Sequence, residues 1–388
     1  MEYLSGLLQL GPLALTLITV LLCQATVACV TLYLHRDQAH RGLELHPAVR
    51  HLCRFWMWLT TGIKTNEWVA IHRKHHARCE TEEDPHSPQI HGLRKVLFEG
   101  AELYREEAKN EETLEHFSHG TPDDWIERNI YQRHAYLGIG IMFTVNIVLF
   151  GPIGITIGAI QMATIPFLAA GIINGVGHHT GYRNFECDDA ATNIVPWGVM
   201  LGGEELHNNH HAFPTSSKFS VRQWEFDIGW LYIIVLRFFG LAKVRKVAPK
   251  PVLQPERRNI DIETLKAVLV NRMHVLRDYS RSVTIPTLRL ELADLPKRMA
   301  RGARRLMVRQ PKLLDDDARQ RLSELLDRNQ SLRTVHEFRE RLRALWSGRT
   351  ISNEKLVVQL REWVAQAEAS GIRALQDFSG RISTYQIA

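Results

Sequence analysis

Apolar residues gather in three runs in the first half of the chain and return at helical intervals in the last third. The first run, GPLALTLITVLLCQATVACVTLYL, covers residues 11–34; two others cover roughly 135–150 and 155–177 and are joined by Phe150-Gly151-Pro152-Ile153-Gly154. Crossing ~30 Å of hydrocarbon takes about 20 apolar residues, so the pattern predicts about three transmembrane helices, with the Gly-Pro joint as a tight turn between the last two. The apolar segment 51–63 is too short to span and is expected as an interfacial or buried helix. Beyond residue 259, Leu and Val recur at i, i+3, i+4 and i+7. That spacing predicts amphipathic helices over 262–280, 287–308, 315–327, 333–346 and 353–369. The expected class is all-α: a membrane part followed by a soluble helical region.

Charge sharpens this division. Lys and Arg are absent from residues 1–35 and again from 134–182. Basic residues mark the cytoplasmic side of a span, so the amino terminus and the 150–154 turn are expected outside, and residues 35–133 and 178–388 inside. A secretory signal would need a basic leading segment and a shorter apolar core; MEYLSG has no base. Residues 242–388 hold 30 Lys+Arg against 17 Asp+Glu, a net +13, which leaves −7 for residues 1–241. The stretch AKVRKVAPKPVLQPERR, 242–258, reads as a linker by its prolines. The domains expected are therefore 1–241 in the membrane and a basic helical region, 259–388. Such a region suits anionic lipid headgroups or nucleic acid, and nucleic acid is not the expected partner. Its segment LLDRNQSLRTVHEFRERLRALW, with LREWVAQAEASGIRALQDF, resembles the C-terminal helices of some transposases over less than a quarter of the chain. Cysteines 23, 29, 53, 79 and 187 form no CxxC pair, so neither a disulfide framework nor a zinc ribbon is expected.

Histidine carries the candidate chemistry. Nine of the 19 histidines fall in four clusters at span exits or in the expected cytoplasmic connections. His35 and His40 follow the first span; His72, His75 and His76 lie in EWVAIHRKHHARCETEEDPHSP; His178 follows Asn174 in NGVGHH; His207, His210 and His211 lie in GEELHNNHHAFP. The two triplets stand at i, i+3 and i+4, one helix face each. Asn174 and His178 are one turn apart. His35 and His40, five apart, sit about 140° around an ideal helix and share a face only where the helix ends or unwinds. His178 is preferred to His179 because one step turns the ring away from Asn174. Neutral imidazole is a ligand for iron, zinc or copper, and nine exceed what one tetrahedral ion takes. Asp84, Glu204, Glu205 and Asp188 or Asp189 are the candidates to orient the rings, and His86 is a further neighbour. Trp56, Trp58, Trp68 and Trp197 could line an apolar channel, but aromatic residues near a membrane surface are more often interfacial anchors, and neither role is assigned.

The words LHRDQAHR, HRKHHARCETEEDPHSP, NGVGHHTGYRNFE and GGEELHNNHHAFP, with H-x4-H, H-x2-H-H and H-x2-H-H in that order, resemble the integral-membrane fatty-acid desaturases. They are most similar to the Δ9 branch of acyl-CoA and bacterial acyl-lipid enzymes, over roughly residues 15–240. The resemblance implies a helical membrane stem beneath a cytoplasmic histidine-rich cap in a bacterial inner membrane. It implies two iron ions held by His35, His40, His72, His75, His76, His178, His207, His210 and His211, with Asn174 acting through a water. It also implies O2 as co-substrate, a saturated acyl-lipid or acyl-CoA substrate, and a separate ferredoxin or flavin reductase as electron donor. Two features depart from the pattern. Eukaryotic relatives have two spans before the first histidines where this chain has room for one, and no HPGG haem motif marks a fused cytochrome b5 domain.

Two other readings remain at this point. A membrane hydroxylase of alkyl chains would use the same metals, though its first box usually shows H-x3-H. A non-catalytic anchor would hold structural zinc and present the basic tail to nucleic acid or another partner.

Overall fold

A computed structural model of the chain describes residues 6–293, 296–347 and 351–387. Among these the structure is mainly helical, with three two-stranded ribbons. It forms two compact units. The first comprises the chain up to Arg183 with Asp189–Ala248, and the second comprises Asn184–Asp188 with the chain from Pro249. The break thus falls within the stretch read as a linker, but Ala242–Val244 (β4) belongs to the first unit, paired antiparallel with Leu43–Leu45 (β1).

In the first unit, α1 (Pro12–Cys29) starts with proline at its first turn, where the missing N–H costs nothing. It continues without a break through wider π-type turns over Val30–Ala39, 28 residues in all. Helix α2 (Pro47–Thr60) is the expected short helix. Then come α3 (Thr65–Arg78), α4 (Pro88–His91), α5 (Leu93–Glu107) and α6 (Glu111–Phe117). Helix α7 (Ala135–Phe150) ends at Gly151, whose φ of 71° reverses the chain into α8 (Ile153–Ile165). Helix α8 extends as π turns through Pro166–Val176 to 24 residues.

Among the described residues, two helices, Pro12–Ala39 and Ile153–Val176, are therefore long and apolar enough to cross a membrane. Helix α7 covers the run expected as the middle span, but at 16 residues, about 24 Å, it is not one of these two. The N–H groups of Leu7 and Leu8 donate to the carbonyls of Val148 and Leu149 (2.9 and 2.8 Å). The start of α1 and the α7–α8 turn thus share one end of the unit. The far ends of α1 and α8 meet α3, α5 and the six-residue α9 (His207–Ala212), and the buried polar side chains collect there. Strand β2 (Trp197–Gly198) runs parallel to β3 (Phe226–Asp227). Asp227 then caps α10 (Ile228–Phe238), an apolar helix the hydropathy pattern did not single out, by accepting the Trp230 N–H (2.9 Å).

The second unit contains α11 (Ile262–Val270), α12 (Arg272–Tyr279), α13 (Ile285–Glu291), α14 (Lys297–Val308), α15 (Asp316–Arg328), α16 (Gln330–Ser347), α17 (Asn353–Glu368) and α18 (Arg373–Ile382). The helix expected over 262–280 breaks at Asn271, whose backbone leaves the helical region and whose side chain donates back to the Ala267 carbonyl (2.9 Å). The one expected over 287–308 divides before Pro296, which has no N–H to continue a helix. One core gathers Leu265, Val268, Tyr279, Phe338, Leu360, Trp363 and Phe378; a smaller one gathers Leu288, Met307, Leu314, Leu322 and Leu332. Strands β5 (Val252–Leu253) and β6 (Tyr385–Gln386) pair antiparallel.

Candidate metal centre

The first histidine pair depends on the π turns that end the α1 run. The His40 N–H donates to the His35 carbonyl, five residues back (3.0 Å). Such i→i+5 bonding winds the chain more loosely than an α-helix and brings the two rings to one side, with centroids 4.8 Å apart. Buried partners hold this segment. Arg36 pairs with Asp227 (2.9 Å) and lies over the Phe219 ring, and Asp37 accepts from Arg50 and from the Leu45 N–H. Arg73 donates to the Gln38 and Ala39 carbonyls (2.8 and 3.0 Å). The third cluster is introduced by Gly202 and Gly203, at φ of 68° and 100°, a region in which side chains are strained. A Cβ at Gly203 would also strike the Asp227 carboxylate.

All nine expected histidines come together, in two groups. His35, His40, His72, His76 and His210 form one; His75, His178, His207 and His211 form the other, with the ligand atoms of each group within 4.8 Å of one another. Each H-x2-H-H triplet is split between them. On α3, the i, i+4 pair His72 and His76 joins the first group and His75 the second. On α9, His207 and His211 join the second and His210 the first. The two helices therefore each straddle both groups, which a single shared face had not conveyed. His178 is fully buried in the second group, whereas His179 is exposed and faces Thr180.

Within the groups, neighbouring Nε2 atoms stand 3.0 Å apart for His35–His210 and His76–His210, 2.8 Å for His40–His72, 3.2 Å for His75–His178 and 3.0 Å for His178–His207. Metal–nitrogen bonds of about 2.1 Å set at right angles would space donor atoms by about 3 Å. The outer nitrogens of the second group, and of His35 in the first, face carboxylates. Asp84 is 2.9 Å from His75 Nδ1, Glu80 2.9 Å from His178 Nδ1, and Asp189 3.0 Å from His211 Nδ1. Glu204 is 2.5 Å from His35 Nδ1 and, at 3.5 Å, beyond a good hydrogen bond from His207 Nδ1. A neutral imidazole has one N–H. Where that proton is drawn outward to a carboxylate, as in His75 and His178, the inner nitrogens present lone pairs to one another, and His211 Nε2 is buried with no partner. Converging lone pairs repel unless a cation lies among them, so the donor set fits metal ions.

Electrostatics favours the ligand form. Burial, aided by the neighbouring rings, holds His40, His72, His76, His178, His210 and His211 well below the usual imidazole range. Burial also lowers His207 against the pull of Glu204. For His75 burial works downward too, but the carboxylates of Asp84, Asp189 and Glu80 together outweigh it and hold the ring above its ordinary value.

Of the expected orienting carboxylates, Asp84, Glu204 and Asp189 face rings. Glu205 instead accepts the Met200 and Leu201 N–H groups (2.7 and 2.9 Å), steadying the turn into α9. Asp188 lies in the second unit and pairs with Arg343 there (3.3 Å). Both are corrections: adjacency in sequence did not put them against a ring. Glu80 and Arg73 were missed. Asn209 donates to Glu225 (2.9 Å) and the Phe219 carbonyl (3.0 Å), and Asn208 to the Ala191 carbonyl (3.1 Å), so the asparagines between the histidines hold α9 in place.

A cavity of about 730 Å³ adjoins the groups, lined by His35, His72, His86, Asn174, Glu204 and His207 and by Val30, Trp68, Ile71, Ile139, Leu168 and Ile173. Trp68 stacks on His72 at 4.8 Å, while Trp197 is 66% exposed. Lys64, Arg105, Lys109 and Arg133 add cations to the lining.

The family model described as fatty acid desaturase matches residues 10–227, and a second, described as transposase, matches residues 266–387. The chain belongs to the fatty acid desaturase family. It is 30% identical to a probable chloroplast lipid desaturase of Arabidopsis thaliana over 219 residues, 55% of this chain and 58% of that protein. It is 28% identical to the Delta-9 acyl-lipid desaturase 2 of the same plant, over 56% of this chain and 70% of that one. To the sn-1 stearoyl-lipid 9-desaturase of Anabaena variabilis it is 25% identical, over 57% and 79%. The chain thus spans under two thirds of the first of these relatives.

Proposed function

We propose that the chain is a membrane fatty-acid desaturase that inserts a cis double bond, at Δ9, into a saturated acyl chain. The observation that carries this is one apolar cavity of about 730 Å³ running up to two groups of inward-facing imidazole nitrogens. The reaction balances as R–CH2–CH2–R′ + O2 + 2e⁻ + 2H⁺ → R–CH=CH–R′ + 2H2O. His35, His40, His72, His76 and His210 would hold one iron and His75, His178, His207 and His211 a second, and the pair would supply the oxidising power that no side-chain acid or base has. The chain's own residues do the rest. Asp84, Glu80, Asp189 and Glu204 orient the rings, Asn174 lines the cavity and would hold a water there, and the apolar lining keeps bulk water from the alkyl chain. Lys64, Arg105, Lys109 and Arg133 suit an acyl carrier with an anionic head, phospholipid or coenzyme A. The α1 run and the α7–α8 hairpin stand in the membrane, α7 as a shorter third span, with the histidines and residues 249–388 on the cytoplasmic side. The electrons come from a separate ferredoxin or flavin reductase.

The test is expression in a host without unsaturated fatty acids, with double bonds mapped by lipid class. A cis alkene is expected with the wild-type chain, and its loss with His72→Ala and His207→Ala. An alcohol in place of an alkene would establish a hydroxylase, and tightly held zinc without O2-dependent turnover a non-catalytic anchor.

A further inference from the structure

Helix α14 in the second unit stands apart from the other cationic parts of the molecule. Its twelve residues, KRMARGARRLMV, carry five basic side chains and no acidic one. Arg298, Arg301 and Arg305 fall on one face at i, i+3 and i+7 and are exposed, and Arg304 is exposed at its edge. Several arginines elsewhere in this unit are neutralised locally, Arg257 by Asp261, Arg319 by Asp316, Arg321 by Asp317, Arg333 by Asp327 and Arg343 by Glu340, and α14 differs in setting four guanidiniums close together on one short helix. Among the described residues, none of Arg298, Arg301, Arg304 and Arg305 has an ion pair. Like charges at these spacings weaken a helix, and cations in its first turn oppose the helix dipole. The unit nevertheless holds α14 firmly. Met307 is buried in the smaller core, and the buried Arg339 guanidinium donates to the Val308 carbonyl at the helix end. Met299, 58% exposed, flanks the arginines with an apolar side chain.

We infer that this face docks on anionic phospholipid headgroups. A fixed row of guanidiniums matches a layer of phosphates in charge and spacing, and Met299 beside it reaches the boundary between headgroup and acyl chain, where a thioether is tolerated. The inference rests on the proposal that the first unit spans a bilayer, which keeps such a surface within the chain's reach at high effective concentration. The transposase likeness raises nucleic acid as the other polyanion; α14 has no aromatic ring on which a single-stranded base would stack, and of the two polyanions only the lipid phosphates are held beside the chain by the bilayer itself.

Hydrogen exchange on the full chain in nanodiscs tests the idea. The discs are phosphatidylcholine alone or mixed with phosphatidylglycerol, and the readout is the amides of Lys297–Val308. Exchange slowed roughly tenfold in the anionic discs, and restored at roughly 1 M salt, where the screening length is about 3 Å, is expected. A triple variant, Arg298→Glu, Arg301→Glu and Arg305→Glu, should lose the difference while the amides of α17 exchange as before, which shows it folded. Equal exchange in both discs overturns the inference while leaving the membrane reading intact. Failure of the chain to enter discs overturns the membrane reading and the inference with it. Protection by a short DNA duplex at ordinary salt, with no lipid dependence, would assign the face to nucleic acid instead.

Discussion

Glu80 stands in CETEED, beside the exposed Glu82 and Glu83, yet only Glu80 and Asp84 of that run fold back onto rings, His178 and His75. These outer partners fix which imidazole nitrogen faces inward, so Asp84→Asn and Glu80→Gln should each lower metal affinity or turnover by about 10–100-fold with the fold retained. Metal content after dialysis against a graded chelator measures this, and unchanged retention in both variants would remove the carboxylates from the account. A pH effect belongs to this scale as well. Seven rings, His40, His72, His76, His178, His207, His210 and His211, are pushed below the usual value and only His75 above it. Unfolded imidazoles, at about 6.5, then bind protons that the folded ones refuse, and folding loses stability as pH drops. The metal-free protein should therefore show a falling thermal midpoint from about pH 7 downward; a flat midpoint to pH 5 would contradict the burial argument.

At the scale of elements, α3 and α9 do most of the assembly, because each sends its i, i+4 histidines to one group and its i+3 histidine to the other. Their placement depends on connections more than on the helices. Gly203 at φ 100° aims α9 at the rings, and any Cβ there meets Asp227. Gly203→Ala should destabilise the protein by about 1–3 kcal/mol and lower metal content in proportion, whereas Gly140→Ala, with nothing near its Cβ, should do neither. Parallel thermal melts and metal analysis of the two variants check this, and equal behaviour would show that the turn is not the constraint. The π turns at Val30–Ala39 and Pro166–Val176 serve the same end at the other two clusters.

For the whole molecule, a bound metal would join segments that are far apart in sequence, because the end of α1, α3, the turn after the α8 run and α9 all bring histidines to the two groups. An ion that binds only this folded arrangement stabilises it by mass action, about 2.7 kcal/mol when free metal is a hundredfold above its dissociation constant. Stripping the purified protein with a chelator should lower its thermal midpoint, and re-addition of ferrous ion should restore it. A midpoint indifferent to both treatments would mean that the histidines are held by packing and hydrogen bonds alone.

The four histidine words, the apolar runs and the charge boundary are local properties, so they were legible in the chain: a span of given composition and a triplet at i, i+3, i+4 mean much the same in any context. Sequence determined which rings are available and, through the unusual five-residue spacing of His35 and His40, signalled that an ordinary helix could not present both. Tertiary structure alone decided which ring joins which group, because that depends on the angle at which α3 and α9 cross. It also decided that Glu80 rather than Glu205 supports a ring, since a carboxylate next to a histidine in sequence points wherever its turn sends it. The unpaired arginine face of α14 is likewise an outcome of packing: composition counts residues, while burial, turns and ion pairs depend on what the rest of the chain brings alongside.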